Sequence, residues 1–349
     1  MLAGLVTGKE RLDLVEVAEP EATPGLAVVD IAGCGICGTD VHAYRSGMPY
    51  TPAICGHEWA GTVRAVGAGV TAVAAGDRVV GAVPRACGTC TACKAGHAPW
   101  CELVFGTAIG VAPGAPPHGG FARSIAVDAG RLVRIPDALG FDDAPLVEPA
   151  TVAVHAVGRA GAPAGHVAVV VGAGPIGALV AQAAAALGAG HVAVVDPSAD
   201  RRARALELRV DAALEPGAAA SAHVSELTGG LGADVVYECA GVAETVQASV
   251  DLARRGGTVV LAGVAETPAT IVPALWVVKE VTVIGALAYT RGDFSLTMDL
   301  AVDGRIRLGA LRGRTVPLAA LPATFAGLAG GTIDDLKVVV DPSLEDTSA

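Results

Sequence analysis

Between Val167 and Ala189 the chain runs almost wholly apolar, with Gln182 its one strongly polar side chain. Length and hydropathy alone would suit a membrane span. The internal order argues otherwise. The run opens on a β-branched block, Val167–Val171, breaks at Gly172, Gly174, Pro175 and Gly177, and continues rich in alanine. That order reads as buried strand, tight turn and buried helix. Further apolar runs follow at His191–Val195, Asp234–Glu238, Gly257–Leu261 and Val281–Ile284. The stretches between them are long enough for crossover helices, so an α/β fold with a parallel sheet is predicted.

The turn itself is a G-x-G-x-x-G, Gly172-Ala173-Gly174-Pro175-Ile176-Gly177. Following a strand and opening a helix, it has the setting that a dinucleotide pyrophosphate requires. The first glycine makes the turn, the second lets the backbone approach the phosphates, and the third lets helix and strand pack closely. Free N–H groups at the helix start then face the negative charge. The next strand ends at Asp196. A carboxylate there accepts hydrogen bonds from the adenosine ribose and repels a 2′-phosphate, which favours NAD over NADP. Arg201 follows closely and is suited to such a phosphate, so the preference is not absolute.

Residues 1–150 have a different texture, with short strands at Leu26–Ala32, Gly61–Val66, Asp77–Val83 and Phe121–Val127 bounded by Gly, Pro or Asp. Helical patterns at Phe294–Val302 and Leu318–Leu328 and a strand at Lys337–Val340 close the chain. At 349 residues the chain exceeds the roughly 250–300 that one core sustains. We therefore expect a β-rich domain, 1–150 completed by 286–349, and a nucleotide-binding domain, 151–285. A net charge of −11 argues against nucleic acid or an anionic membrane as partner, and 3% aromatics argue against base-stacking platforms. The opening MLAGLVTGKERLDL shows no basic segment leading a sustained apolar one, so a cytoplasmic protein is expected.

Four of the eight cysteines, Cys87, Cys90, Cys93 and Cys101, fall within fifteen residues with the spacing C-x2-C-x2-C-x7-C. Thiolates on so tight a loop can converge on one tetrahedral ion, and a closed four-sulfur shell makes that ion structural. Free or oxidised thiols and an iron–sulfur cluster are the alternatives. Three further segments carry possible ligands: Cys37 in GCGICGTDVH, His57 and Glu58 in CGHEWAG, and Glu148 in LVEPA. Together they supply thiolate, imidazole and carboxylate, a set suited to a catalytic zinc with an exchangeable position.

GHEWAGTVRAVGAGV resembles the G-H-E-x2-G-x5-G-x2-V signature of the zinc-dependent medium-chain alcohol dehydrogenases. The four cysteines, the glycine fingerprint, GICGTDVH and the C-terminal LKVVVDP fit the same family in order, over essentially the whole chain. EPATVAVHAV is similar to the polyol, butanediol and threonine dehydrogenase branch. The resemblance implies a GroES-like β-rich catalytic domain and a Rossmann doubly wound parallel-sheet domain. It implies one catalytic zinc at Cys37 and His57, completed by Glu58 or Glu148, one structural zinc, and NAD. It implies that Thr39 bonds the substrate oxygen, that His42 relays the proton outward, and that Asp40 orients the zinc neighbourhood. The substrate would be a small secondary alcohol, a vicinal diol, polyol or cyclitol-like one, or its ketone, and the assembly a homodimer or homotetramer.

Ala288 stands where sorbitol dehydrogenases carry an arginine, which argues against sorbitol itself. Gly38, next to Cys37, points again to the diol and polyol branch. Trp59, Tyr44, Phe121 and Tyr289 are equally suited to pocket wall or core, and His155 in its apolar run reads as a core histidine. Cys34, Cys55 and Cys239 read as small buried hydrophobes. His97, His118, His166, His191 and His223 have no partner pattern, and a surface role is expected for each. Two other functions compete with the leading one: a zinc-independent NADPH enone or quinone reductase of the same fold, and a non-catalytic NAD-binding zinc protein.

Overall fold

The computed structural model describes residues 1–47, 56–82, 86–104 and 118–344. Two compact units emerge, Met1–Glu148 with Leu311–Ala349, and Pro149–Ala310. The strands, in chain order, are β1 (Leu2–Gly8), β2 (Arg11–Glu16), β3 (Leu26–Gly35), β4 (Glu58–Val66), β5 (Arg78–Gly81), β6 (Ser124–Asp128), β7 (Leu132–Arg134), β8 (Val167–Val171), β9 (His191–Val195), β10 (Ala212–Leu214), β11 (Ala233–Glu238), β12 (Ala253–Leu261), β13 (Thr282–Gly285), β14 (Arg312–Pro317) and β15 (Lys337–Asp341).

In the first unit a seven-stranded sheet runs β14-β15-β3-β4-β5-β7, with β6 also on β3, and β1 and β2 form a separate hairpin. The long pairing of β3 with β4 is its spine and sets Gly35 opposite Glu58. Trp59, Val63, Val79, Phe121, Ile125, Leu321 and Phe325 share one buried cluster. Tyr44 and Phe121 each pack on Phe325, with centroids 5.7 and 5.9 Å apart, so Tyr44, Trp59 and Phe121 belong to the core.

In the second unit six strands run β10-β9-β8-β11-β12-β13. All pairs are parallel. In chain order this is the 3-2-1-4-5-6 arrangement of a doubly wound dinucleotide fold. The order reverses at β8, so the crevice for a ligand opens beyond the carboxyl ends of β8 and β11. The Val167–Ala189 run is β8 followed by the helix Pro175–Ala186, and no helix among the described residues is long and apolar enough to cross a membrane. Gln182 is buried, yet both ends of its amide are used: Oε1 accepts from Arg307 N at 2.8 Å, and Nε2 donates to Ala178 O at 3.4 Å.

The chain returns to the first unit at Leu311, not at the expected 286. The helix Arg291–Val302 is the reason. Its Thr290–Asp293 capping box also engages His155, whose Nδ1 lies 2.8 Å from Asp293 Oδ2. With Arg307 held by Gln182, residues 286–310 stay with the second unit. Tyr289 is 8% exposed and packs on Phe294 within it.

Candidate functional site

The edge of β3 and the start of β4 bring the first candidate group together. Cys37 is the N-cap of the helix Gly38–Ser46, and Glu58 is the first residue of β4. Ligand atoms of Cys37, His57 and Glu58 all lie within 4.8 Å of one another. Asp40 is fully buried between them. Its Oδ2 accepts from Cys37 N at 2.9 Å, and its Oδ1 accepts from Gly56 N at 3.4 Å and sits 3.5 Å from His57 Nδ1. Thr39 Oγ1 is 3.7 Å from Cys37 Sγ. His42, half-buried, follows Thr39 by one helical turn and so shares its side of the helix.

The electrostatics of this group favour a cation. Burial alone would lower the His57 pKa, but the Asp40 carboxylate and Cys37 raise it well above the ordinary imidazole value. His57 Nδ1 is buried and makes no hydrogen bond among the described residues. A soft thiolate, an imidazole and a carboxylate are the donors that zinc takes, so the residues present fit that ion.

Glu58 is not a free ligand. Lys337, the first residue of β15, places Nζ 2.7 Å from each Glu58 carboxylate oxygen and 3.2 Å from Ile36 O. Both side chains are nearly inaccessible, at 3% and 1% exposure. Burial works against the Lys337 charge, yet Glu58 and Cys37 outweigh it and raise its pKa. Sequence reasoning missed Lys337. Its only signal was a lysine opening an otherwise apolar strand. Glu148 lies in the first turn of the helix Val147–Arg159, outside the close group, and its charge acts on Lys337.

The second candidate centre is the cysteine lobe. Sγ atoms of Cys87 and Cys93 are 4.0 Å apart, as are those of Cys90 and Cys101. A disulfide requires about 2.05 Å, whereas four bonds of about 2.3 Å to one tetrahedral ion set sulfurs about 3.8 Å apart. Backbone N–H groups of Thr89 and Cys90 point at Cys87 Sγ from 3.4 and 3.3 Å. With the Thr89 hydroxyl they pull the Cys87 thiol down to about 6. Burial instead pushes Cys93 up to about 12. Four sulfurs held this close repel as thiolates, and a divalent cation removes that conflict.

The third element is the glycine turn. Gly172 has φ +98°, and a Cβ at Gly177 would overlap the Gly172 carbonyl oxygen. Gly174 caps the helix that begins at Pro175, and a Cβ there would meet nothing within 4 Å. Ile176, the second residue of that helix, is half-buried. Asp196 is 3% exposed, with Oδ2 accepting from Ala173 N at 2.7 Å and Oδ1 from Ser198 N at 2.8 Å. The carboxylate thus ties the end of β9 to the turn, a second task its sequence position did not reveal. Arg201 N is capped by Ser198 Oγ, and its side chain is half-buried. Arg202 donates to Asp196 O and pairs with Glu215, at 2.8 and 2.9 Å.

Several other expectations change. His118 is 3% exposed, with Nδ1 3.0 Å from Gly119 O, so it is not a surface residue. His191 and His223 partner each other, Nε2 to Nε2 at 3.2 Å. His97 is exposed, as expected, and stacks on the exposed Trp100, whereas the Nδ1 of His166 is buried. Cys34 is buried and Cys239 half-buried, while Cys55 lies outside the described residues.

Comparison with known proteins agrees over the full length. Residues 23–137 match the alcohol dehydrogenase GroES-like domain, and residues 175–303 match the zinc-binding dehydrogenase domain. The chain is 34% identical to 2-dehydro-3-deoxy-L-galactonate 5-dehydrogenase of Pseudoalteromonas atlantica, over 99% of this chain and 100% of that protein. The crystal structure of 2R,3R-butanediol dehydrogenase from Bacillus subtilis is 30% identical, with a TM-score of 0.86, over 98% of this chain and 99% of that one. The crystal structure of a protein from Sinorhizobium meliloti bound to NADP is 32% identical, with a TM-score of 0.88, over 98% of this chain and 99% of that one.

Proposed function

Because the chain belongs to the zinc-dependent medium-chain alcohol dehydrogenases, an oxidoreductase family, we propose that it interconverts a vicinal diol, polyol or sugar-acid secondary alcohol and its ketone with NAD. The observation that carries this reading is the convergence of Cys37, His57 and Glu58 within 4.8 Å. Cys37 and His57 would hold the catalytic zinc, Glu58 or Glu148 would complete its shell, and Cys87, Cys90, Cys93 and Cys101 would hold the structural one. Bound zinc supplies a Lewis acid and bound NAD a hydride acceptor. Thr39 Oγ1 would accept the substrate hydroxyl proton as its own hydroxyl proton leaves toward the His42 ring, one turn along the helix, which would release a proton outward in exchange. Asp40 fixes both ligands it touches, through Cys37 N and beside His57 Nδ1.

Gly172, Gly174 and Gly177 would cradle the pyrophosphate, with the N–H groups of the helix's first turn, those of Ile176 and Gly177, toward it. Asp196 supports NAD over NADP, and Arg201 is the residue that would accommodate the 2′-phosphate of the alternative. Ala288, in place of an arginine, turns the preference away from sorbitol. A homodimer or homotetramer is part of the same reading. It rests on β13, an edge strand, and on the exposed Val264, Val277 and Leu287 of the same unit, at 74, 76 and 60%. So is a cytoplasmic setting, where cysteine ligands stay reduced.

The test is a panel of diols, sugar alcohols, cyclitols, aldonates and threonine, read by NADH absorbance with NAD and NADP in parallel. Metal analysis should find two zinc ions per chain. Cys37→Ser should lower zinc to one per chain and reduce kcat/KM by at least ~10³-fold, with the circular dichroism spectrum unchanged. Full activity in that variant would overturn the zinc reading.

A further inference from the structure

Lys337 and Glu58 form a buried ion pair in which both carboxylate oxygens are engaged. An ammonium has three N–H groups. Here Nζ has three acceptors in reach: the two oxygens of Glu58, each at 2.7 Å, and the Ile36 carbonyl at 3.2 Å. The carboxylate is therefore held by both oxygens at once. The sheet fixes both ends of the pair. β15 pairs with β3 at Val339 and Gly35, and β3 pairs with β4 at Gly35 and Glu58. Gly35 itself makes the room, since a Cβ there would overlap Glu58 Oε2.

The charges around the site explain what this clamp does. Cys37, Asp40 and Glu58 put three acidic groups at one place, and Lys337 is buried against them. A buried carboxylate that loses its cation pays heavily for the isolated charge and takes whatever cation is nearest. With Lys337 neutral, that cation would be the ion at Cys37 and His57. Building on the zinc reading above, we propose that Lys337 is a positioning residue that withholds Glu58 from the catalytic ion, so that the fourth ligand place stays exchangeable for a substrate oxygen. The pair would also set how readily Glu58 enters the shell when that place is vacated: one Nζ hydrogen bond must be given up for each oxygen that turns to the metal.

Cobalt-substituted protein tests this without reference to turnover. Cobalt in a site with an exchangeable place changes its visible d–d bands when imidazole is added. Wild-type protein should show that response. Lys337→Met should start with an altered spectrum, from carboxylate ligation, and bind imidazole at least ~10-fold more weakly. Lys337→Arg, which keeps a buried cation on Glu58, should titrate within about threefold of wild type. The double variant Glu58→Gln/Lys337→Met removes the competing carboxylate together with its clamp and should regain the response. Where Lys337→Met is too unstable to purify, Lys337→Gln, which keeps a donor but no charge, carries the same expectation against the same controls. Imidazole affinity and spectrum unchanged from wild type in both neutral variants overturn the role of Lys337 and leave the zinc reading intact. Cobalt uptake limited to one ion per wild-type chain, with no imidazole response, removes the zinc reading and this inference with it.

Discussion

Gly174 and Gly177 lie three residues apart in one turn and answer to different forces. At Gly177 the obstacle is internal, because a Cβ would overlap the backbone oxygen of Gly172, which cannot rotate away. At Gly174 the chain leaves open space. Gly177→Ala should therefore push the helix Pro175–Ala186 off β8, lowering both the melting temperature and NADH affinity, the latter by at least ~10-fold. Gly174→Ala should keep the melting temperature within about 2 °C while still weakening NADH, because only the incoming phosphates meet the new methyl. Thermal melts and NADH fluorescence titrations separate the two cases, and equal losses of stability in both would refute the distinction. Such residues were legible because their roles are local: a G-x-G-x-x-G and a four-cysteine loop announce themselves by spacing. Lys337 was not, since its partner Glu58 is 279 residues away and only the β15-β3-β4 pairing brings them together. The dual use of Asp196 was hidden for the same reason, as its bond to Ala173 N spans 23 residues.

Elements were read most accurately where burial dictates pattern. β8 and β9 begin and end where their valine blocks do. β14, Arg312–Pro317, went unread because it is mostly exposed and polar and carries no alternation. The helix Arg291–Val302 starts three residues before the expected Phe294, because Arg-Gly looks like loop until Thr290 and Asp293 are seen to cap it. That cap makes a prediction. Asp293 accepts from Thr290 N and Thr290 Oγ1 at 2.7 and 2.8 Å and meets His155 Nδ1 at 2.8 Å. Asp293→Ala should cost about 0.5–2 kcal/mol, the range for a lost helix cap. Burial would raise the Asp293 pKa, but the bonds from His155 and Thr290 outweigh it and hold the carboxyl below its ordinary value of 3.8. A depressed folded-state pKa gives stability that is complete above the unfolded value and is lost as pH falls through the folded one. The gap between wild type and Asp293→Asn, measured by urea denaturation, should therefore shrink as pH falls from about 5 toward 3. A gap that held steady down to pH 3 would mean that the ionised carboxylate is not its source.

At the scale of the molecule, the two units have separate cores. One gathers Trp59, Phe121 and Phe325, the other Val169, Val195, Val236 and Val259. The ligand sites divide the same way: all candidate zinc ligands fall in Met1–Glu148, and the glycine turn with Asp196 falls in Pro149–Ala310. A ligand that binds the folded form stabilises it by RT ln(1 + [L]/Kd), about 2.7 kcal/mol at a hundredfold excess over Kd. If each core melts cooperatively on its own, calorimetry should resolve two transitions. NADH at that excess should raise one of them by several degrees and leave the other nearly still. Removing zinc with dipicolinate should lower the second and spare the first, because metal-binding energy in a thiolate lobe is folding energy for the unit that contains it. The Cys37→Ser variant, which loses one zinc of the proposed two, should show a smaller decrease of the same transition. A single transition that NADH raises and dipicolinate lowers would instead mean that the two cores melt as one cooperative body.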